Sequence, residues 1–310
     1  TFLLEGEEEV GSPHLAEFAA ANQELIKTDG CLWESGYRDA EGNVTLNAGA
    51  KGMLYVEMRT RGVGYDLHSS NAPIAPSAAW RLLEALRSLR DSSGHILIPH
   101  FYDDVRPPTE REAELLQRFP IDSEALRKGW EAHQLLGPTD DPVAMTRKLL
   151  YEPTCNICGL YSGYSGPGSK TILPARAGAK LDFRLVPDQN PDKILVQLRK
   201  YLRDQGFDDV EVEETEQGEF PAQSPVDTPL MEAAQRAVRR VYGREPRMLP
   251  RAAGTGPVEQ LCMRYGIPIV NGAGVGNANS RVHSPNENVS LDDYMLHIKL
   301  AATLLAEFAS

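Results

Sequence analysis

Apolar positions recur at helical spacing in some stretches and alternate in others, and the order of the two patterns outlines the fold. Residues 1–4 are a short β-prone run that ends in Glu5-Gly-Glu-Glu-Glu9, followed by Gly11, Ser12 and Pro13. Ser12 suits a helix N-cap and Pro13 a first helical turn, so the opening reads as strand, acidic turn, helix. Leu15, Phe18, Ala19 and Leu25 give residues 13–27 a helical stripe, which Gly30 stops. Residues 31–33 read as a short buried strand delivering Glu34 to a strand end, on the same edge of a parallel sheet as Glu9.

Further on, residues 52–61 read as a strand and 62–76 as a loop that contains His68. Ala79, Leu82, Leu83, Leu86 and Leu89 mark a helix. Residues 95–150 differ in texture, with Pro-rich turns and short amphipathic pieces, and read as an insertion decorating a domain. Strands are expected at 154–161 and at 170–186, the second broken at Pro174. Asn190-Pro191 then opens a helix bearing Ile194, Leu195, Leu198 and Leu202, closed by Gly206, and 208–214 alternates as a strand. From 52 to about 217 the order is β-α-(insert)-β-β-α-β, the ferredoxin-like arrangement.

The remainder returns to αβ texture. Thr228-Pro229 opens a helix with Leu230, Ala234, Val238 and Val241 on one face. A helix is expected over 256–265, a buried strand over 267–270, and a Gly/Asn-rich loop over 272–279 leading to His283. Ser290 and Asp293 resemble a capping box for the last helix. A smaller domain is thus inserted in a larger α/β domain.

Length and charge narrow the function. With 310 residues, two domains are expected. A net charge of -12 argues against nucleic acid or an anionic membrane as partner. No apolar run approaches a membrane span and no signal peptide is visible. Four cysteines are too few for a disulfide scaffold, which points to the cytoplasm. The chain opens at Thr1 inside a strand-like run, so its beginning is expected to be absent.

Glu8, Glu9, Glu34 and His283 fall at predicted strand ends or in loops of the outer domain. Carboxylates with an imidazole make a mixed oxygen and nitrogen site suited to zinc, manganese or cobalt. Metal-assisted hydrolysis needs one group to ligate and another to take a proton from bound water, roles that two adjacent glutamates can divide. A solvated acidic turn and a structural His283 are the plainer alternatives. His68 is an unassigned loop histidine. Arg184 sits in an apolar strand and needs an anionic partner, either Asp182 or a substrate carboxylate. Cys155-x-x-Cys158 lacks a second pair and is a weak metal or redox motif. The glycine-rich 163–168 and 272–276 match no phosphate-binding pattern, and no nucleophilic serine elbow is present.

Taken in order, Glu5-Gly-Glu-Glu-Glu-Val-Gly-Ser12, Leu32-Trp-Glu34, Asp66-Leu-His68-Ser, Ser169-Lys-Thr-Ile-Leu-Pro174 with Asp182-Phe-Arg-Leu-Val-Pro-Asp188, and His283-Ser-Pro-Asn-Glu287 resemble the dinuclear-zinc metallopeptidase family. That family includes aminoacylase, acetylornithine deacetylase, succinyl-diaminopimelate desuccinylase, glutamate carboxypeptidase and carnosinase-like dipeptidases. The resemblance implies an α/β zinc-peptidase-like catalytic domain with an inserted ferredoxin-like α+β lid that also forms the homodimer. The catalytic domain would comprise 1–50 and 218–310, and the lid 51–217 with its extra segment near 95–150.

By the same resemblance Glu8 is the general base, Glu9 and Glu34 are ligands of different metals, and His283 joins Glu9. His68 would reach the partner subunit's active site and stabilise the oxyanion, and Arg184 would hold the substrate carboxylate. Gly254 and Thr255 contact substrate, with Asn156 placed among the substrate-binding residues. Two zinc ions per subunit are implied for the full-length form, with manganese or cobalt as variants. The family's upstream His-x-Asp motif and metal-bridging Asp have no counterpart before Glu8, and Arg251-Ala-Ala-Gly254 departs from the acidic form of many dipeptidases. The expected activity is amide-bond hydrolysis by a dipeptidase or carboxypeptidase. The alternatives are an N-acyl-amino-acid deacylase and a catalytically incomplete dimerising module.

Overall fold

The structure is a computed structural model that describes every residue except Ala40, Glu216 and Ala278, with Glu34 and Tyr37 described by backbone alone. The chain forms two compact units: residues 1–51, 106–152 and 221–310 make the first, and 52–105 and 153–220 the second. Residues 106–152 therefore belong with the first unit, not with the inserted domain as their position in the chain suggested. Leu115 joins the first unit's main core, and Leu116, Leu150 and Tyr151 pack with Leu249 and Ala253; a buried arginine adds polar contacts. Arg251 is fully buried in the first unit, and its guanidinium lies 3.8 Å from Glu112, on the helix Glu110–Arg118. It also donates to the Leu150 carbonyl and stacks 4.0 Å over the Tyr151 ring.

In the first unit, a mixed sheet runs Cys31–Arg38, Ile269–Asn277, Thr45–Asn47, Arg247–Leu249. The first two strands are parallel, with Cys31 opposite Ile269 and Glu34 opposite Gly272. Ile269 and Val270 alternate between the two faces of the sheet, and positive φ at Gly272 and Ala273, 134° and 59°, breaks that alternation. Val270 and Ala273 join a cluster with the helices Pro229–Tyr242 and Leu291–Phe308, through Leu230, Ala234, Val238, Leu300 and Leu304. Ile269 joins Leu15, Ala19, Val258 and Leu261 instead.

Four expectations fail in this unit. Residues 1–4 form no strand, because no strand among the described residues offers them a hydrogen-bonding partner, and Phe2 and Leu4 are exposed. The first helix is Leu15–Ala21 with His14 at its N-cap, while Ser12 is buried in a left-handed conformation at φ 50°. Residues 256–265 give only Val258–Leu261 and a single tight turn at Met263–Tyr265. The glycine-rich 272–277 continues the strand Ile269–Asn277 rather than looping. A Cβ on Gly274 would sit 2.5 Å from the Gly36 carbonyl oxygen, so glycine is what allows the two strands to approach there.

The second unit is a four-stranded antiparallel sheet in the order Glu211–Glu214, Gly49–Arg61, Arg176–Leu185, Thr154–Ser162. Numbered along the chain these are strands four, one, three and two, which is the ferredoxin-like order. Gly52 to Arg61 pairs with Leu185 to Arg176 without a register shift. Leu54, Val56, Met58, Leu181 and Phe183 point to one face, where Leu82, Ala85 and Leu86 of helix Ala78–Ser88 and Ile194, Leu198 and Leu202 of helix Pro191–Asp204 close the core. Asn190 caps the second helix, its side chain accepting from the Lys193 N–H at 3.1 Å. The opposite face of the sheet is polar, with Asn156, Cys158, Asp182 and Arg184 side by side.

Candidate metal centre

Glu8 and Glu9 lie in a single tight turn, Glu8–Val10, that ends at Gly11 in the left-handed region at φ 84°. His283 lies in the loop after the strand Ile269–Asn277. Its Nε2 is 3.3 Å from Glu9 Oε2, and both side chains are largely exposed, at 72% and 77%. The loop is held by Ser280, whose Oγ accepts from the Asn277 N–H at 2.9 Å and whose carbonyl accepts from Asn288 N–H at 3.0 Å. Arg281, His283 and Asn286 all take positive φ, conformations that cost free energy and persist where the surroundings impose them.

Asp293 ties this region together. Its N–H donates to Ser290 Oγ at 3.1 Å, the expected cap. Its carboxylate, however, is buried and serves Arg38 and the Asn277 side chain. The acid of the expected capping box thus joins strand Cys31–Arg38 to the end of the neighbouring strand and the start of the last helix.

Loss of water raises the Glu8 carboxyl above its ordinary range, and the neighbouring Glu9 and Glu5 carboxylates add to this; His283 acts in the opposite sense. Glu34 does not end a strand as expected: it lies in the middle of Cys31–Arg38, and its side chain is outside the described residues. A carboxylate oxygen and an imidazole nitrogen in contact are part of the donor set a zinc-type ion takes. Among the described residues no group of three His, Cys, Asp or Glu side chains is arranged to hold a metal. The donor chemistry fits such an ion, and the set is partial.

The other predicted site residues are distributed between the two units. His68, in the second, pairs through strand Leu67–His68 with Ile172–Leu173. Its Nδ1 accepts from the Ser70 N–H at 3.2 Å, which leaves the proton of a neutral ring on Nε2 and makes that nitrogen a donor. Arg184 donates from Nε to Asp182 at 3.1 Å, so of its two candidate partners Asp182 is the one in contact. Asp182 also accepts from Asn156 at 2.9 Å and from the Cys158 thiol at 3.1 Å. This gathering role of Asp182 escaped the sequence reading, whose signal was only its shared face with Arg184. Gly254 and Thr255 belong to the first unit, on the strand Ala252–Thr255 beside Ala50 and Lys51.

Residues 48–210, more than half of the chain, match the family model of the peptidase dimerisation domain. The M20 family metallo-carboxypeptidase Sso-CP2 of Sulfolobus solfataricus superposes with a TM-score of 0.91 at 39% identity, over 98% of this chain and 69% of that one. Human carnosine dipeptidase 1 superposes with a TM-score of 0.84 at 28% identity, over 98% and 66%. Human Beta-Ala-His dipeptidase is 29% identical over 321 residues, which is 99% of this chain and 62% of that protein. The Cys-Gly metallodipeptidase dug1 of Schizosaccharomyces pombe is 26% identical over 99% of this chain and 65% of its own length. The chain thus spans somewhat less than two thirds of these curated relatives.

Proposed function

The chain belongs to the M20 peptidase family, and from that premise we propose that the complete protein is a metal-dependent amide-bond hydrolase, a dipeptidase or carboxypeptidase acting on peptides with a free carboxylate. The observation that carries this reading is the contact between Glu9 and His283, from opposite ends of the chain, with Glu8 alongside. The peptide-cleaving names of the relatives support it.

Glu9 and His283 would hold one zinc ion, and Glu34 is assigned to a second. When bound, such a pair supplies a water of lowered pKa and polarises the scissile carbonyl. Glu8 takes a proton at its carboxylate and passes it to the leaving amine. His68 of a second subunit donates from Nε2 to the developing oxyanion. The Arg184 guanidinium, oriented by Asp182, binds the substrate carboxylate in a two-pronged contact, and Asn156, Gly254 and Thr255 are each assigned substrate contacts.

The protein acts as a homodimer through the second unit. Thr154–Ser162 is an edge strand whose Ile157, Leu160 and Tyr161 are exposed. Leu83 of helix Ala78–Ser88 lines one groove with Ile157 and Leu160. An exposed apolar edge of this kind is covered in most native proteins. Among the described residues no helix is long and apolar enough to cross a membrane, and cysteine usage supports a cytoplasmic enzyme.

The test uses the complete protein. Glu8→Ala should keep its metal, measured by elemental analysis, while dipeptide hydrolysis falls about 10²- to 10⁴-fold or more. Glu9→Ala should lose metal. Parallel loss of metal in Glu8→Ala would show that base and ligand are misassigned. A panel of dipeptides against acetylated and succinylated amino acids checks the substrate class, and a preference for the acylated compounds would mean a deacylase.

A further inference from the structure

The cysteine pattern most visible in the sequence is not a pair in space. Cys155 is buried in the helix-side core of the second unit, whereas the Cys158 thiol reaches Asp182 on the open face. Three residues apart on one strand, they fall on opposite faces of the sheet. The thiols that meet are Cys31 and Cys262, both in the first unit and both free.

Two backbone anchors bring them together. Cys31 opens the strand Cys31–Arg38, and its N–H donates to the Pro268 carbonyl at 2.9 Å. Cys262 follows the helix Val258–Leu261, and its carbonyl accepts from the Ile267 N–H at 3.0 Å. Both anchors thus fall on the same short segment, 267–268, and the side chains share the apolar cluster of Leu261, Ile267 and Ile269. There the two thiols lie near enough to shift each other's ionisation, Cys31 downward and Cys262 upward. Cys262 is enclosed, at 1% exposure, whereas Cys31 is only partly buried.

We propose that Cys31 and Cys262 are a modification site, an oxidation-sensitive dithiol that a small peroxide closes to an intramolecular disulfide. In the first step the Cys31 sulfur attacks one peroxide oxygen, the O–O bond breaks, and Cys31 becomes a sulfenic acid as one water leaves. In the second, the Cys262 sulfur attacks the sulfenic sulfur, a second water leaves, and the S–S bond forms. Two thiols are oxidised, one peroxide is reduced to two waters, and no other reactant is needed. The division of labour follows from the packing. Cys31 is the sulfur that solvent reaches; Cys262, enclosed beside it, is placed to attack the sulfenic sulfur, and because its neighbour Cys31 and burial both push its thiol up, that resolving step is the slower one. The closed bond would tie the strand carrying Glu34 to the helix that follows Gly254 and Thr255.

The experiment is exposure of the folded, complete protein to hydrogen peroxide, followed by intact mass, thiol titration after denaturation, and peptide mapping. The expected result is a loss of about 2 Da and of two titratable thiols per chain, with a Cys31–Cys262 linked peptide that dithiothreitol removes. Cys31→Ser and Cys262→Ala should each abolish the linked peptide, whereas Cys158→Ser should leave it. Because the link is mapped in the unaltered protein, a variant that folds poorly does not decide the matter. Gain of about 32 Da at Cys31 with no cross-link, a bridge to Cys155 or Cys158, or thiols that stay unreacted would each overturn the assignment. None of these readouts depends on peptidase activity.

Discussion

Neutralising Glu112 probes the polar contacts that residues 106–152 bring to the first unit. Glu112 is buried, and Arg106 grips it with two hydrogen bonds of 2.8 and 2.9 Å. The Thr109 N–H adds a third at 2.8 Å. Burial works against its charged form, but these bonds and the nearby Arg251 outweigh it and hold the carboxyl at about 2 instead of the ordinary 4.5. At about 1.4 kcal/mol per pKa unit, that difference corresponds to about 3 kcal/mol of stability at neutral pH. Allowing for residual solvent screening, Glu112→Gln should cost about 2–3 kcal/mol at pH 7. Because the folded-state value lies below the unfolded one, the stabilisation is full above about pH 5 and drains away as pH falls toward 2. Urea unfolding of both proteins at pH 7, 4 and 3 reads this directly: the gap should shrink to less than half by about pH 3. A gap that is the same at every pH, or under about 0.5 kcal/mol at pH 7, would refute the reasoning.

Two further outcomes follow from close packing and from the open edge. Gly274→Ala forces a Cβ to within 2.5 Å of the Gly36 carbonyl oxygen and 2.6 Å of Ser35 backbone atoms, and should lower stability by about 1–3 kcal/mol, seen as a reduced Tm; an unchanged Tm would mean that the strands part easily. Leu160→Lys places a charge on the exposed edge strand and should shift the protein from dimer to monomer in sedimentation while its circular dichroism stays the same. A dimer that persists would move the interface elsewhere.

The second unit was the most legible part because its signals are local. Val56 and Met58 alternate with polar neighbours, Leu82 and Leu86 repeat at helical spacing, and Asn190-Pro191 announces a helix start. In the first unit tertiary contacts override local preference. Gly272, Gly274 and Gly276 look like a loop when read alone, yet the Thr45 backbone leaves no room for a Cβ at Gly272 and Ser35–Gly36 leaves none at Gly274. Residues 1–4 carry a strand's pattern without a partner to pair with. The amphipathic helices of 106–152 announce an apolar face but not which core receives it; Leu115 and Leu116 enter first-unit clusters, beside Arg251, an arginine whose burial no periodicity reveals. Glu9 and His283 were suggested together by a family pattern rather than by spacing, and no local feature links Cys31 to Cys262.

The alternation of segments between the two units also sets a timetable for synthesis. All of the second unit has been translated once Phe220 is made, so its sheet and both helices can close while the remainder of the polypeptide is still being added. The first unit must wait for Leu300 and Leu304, which complete its core from the last helix. Until then the helices of 106–152 and the turn Glu8–Val10 have emerged without their final neighbours, and the contact of Glu9 with His283 can form only after the second unit is able to close.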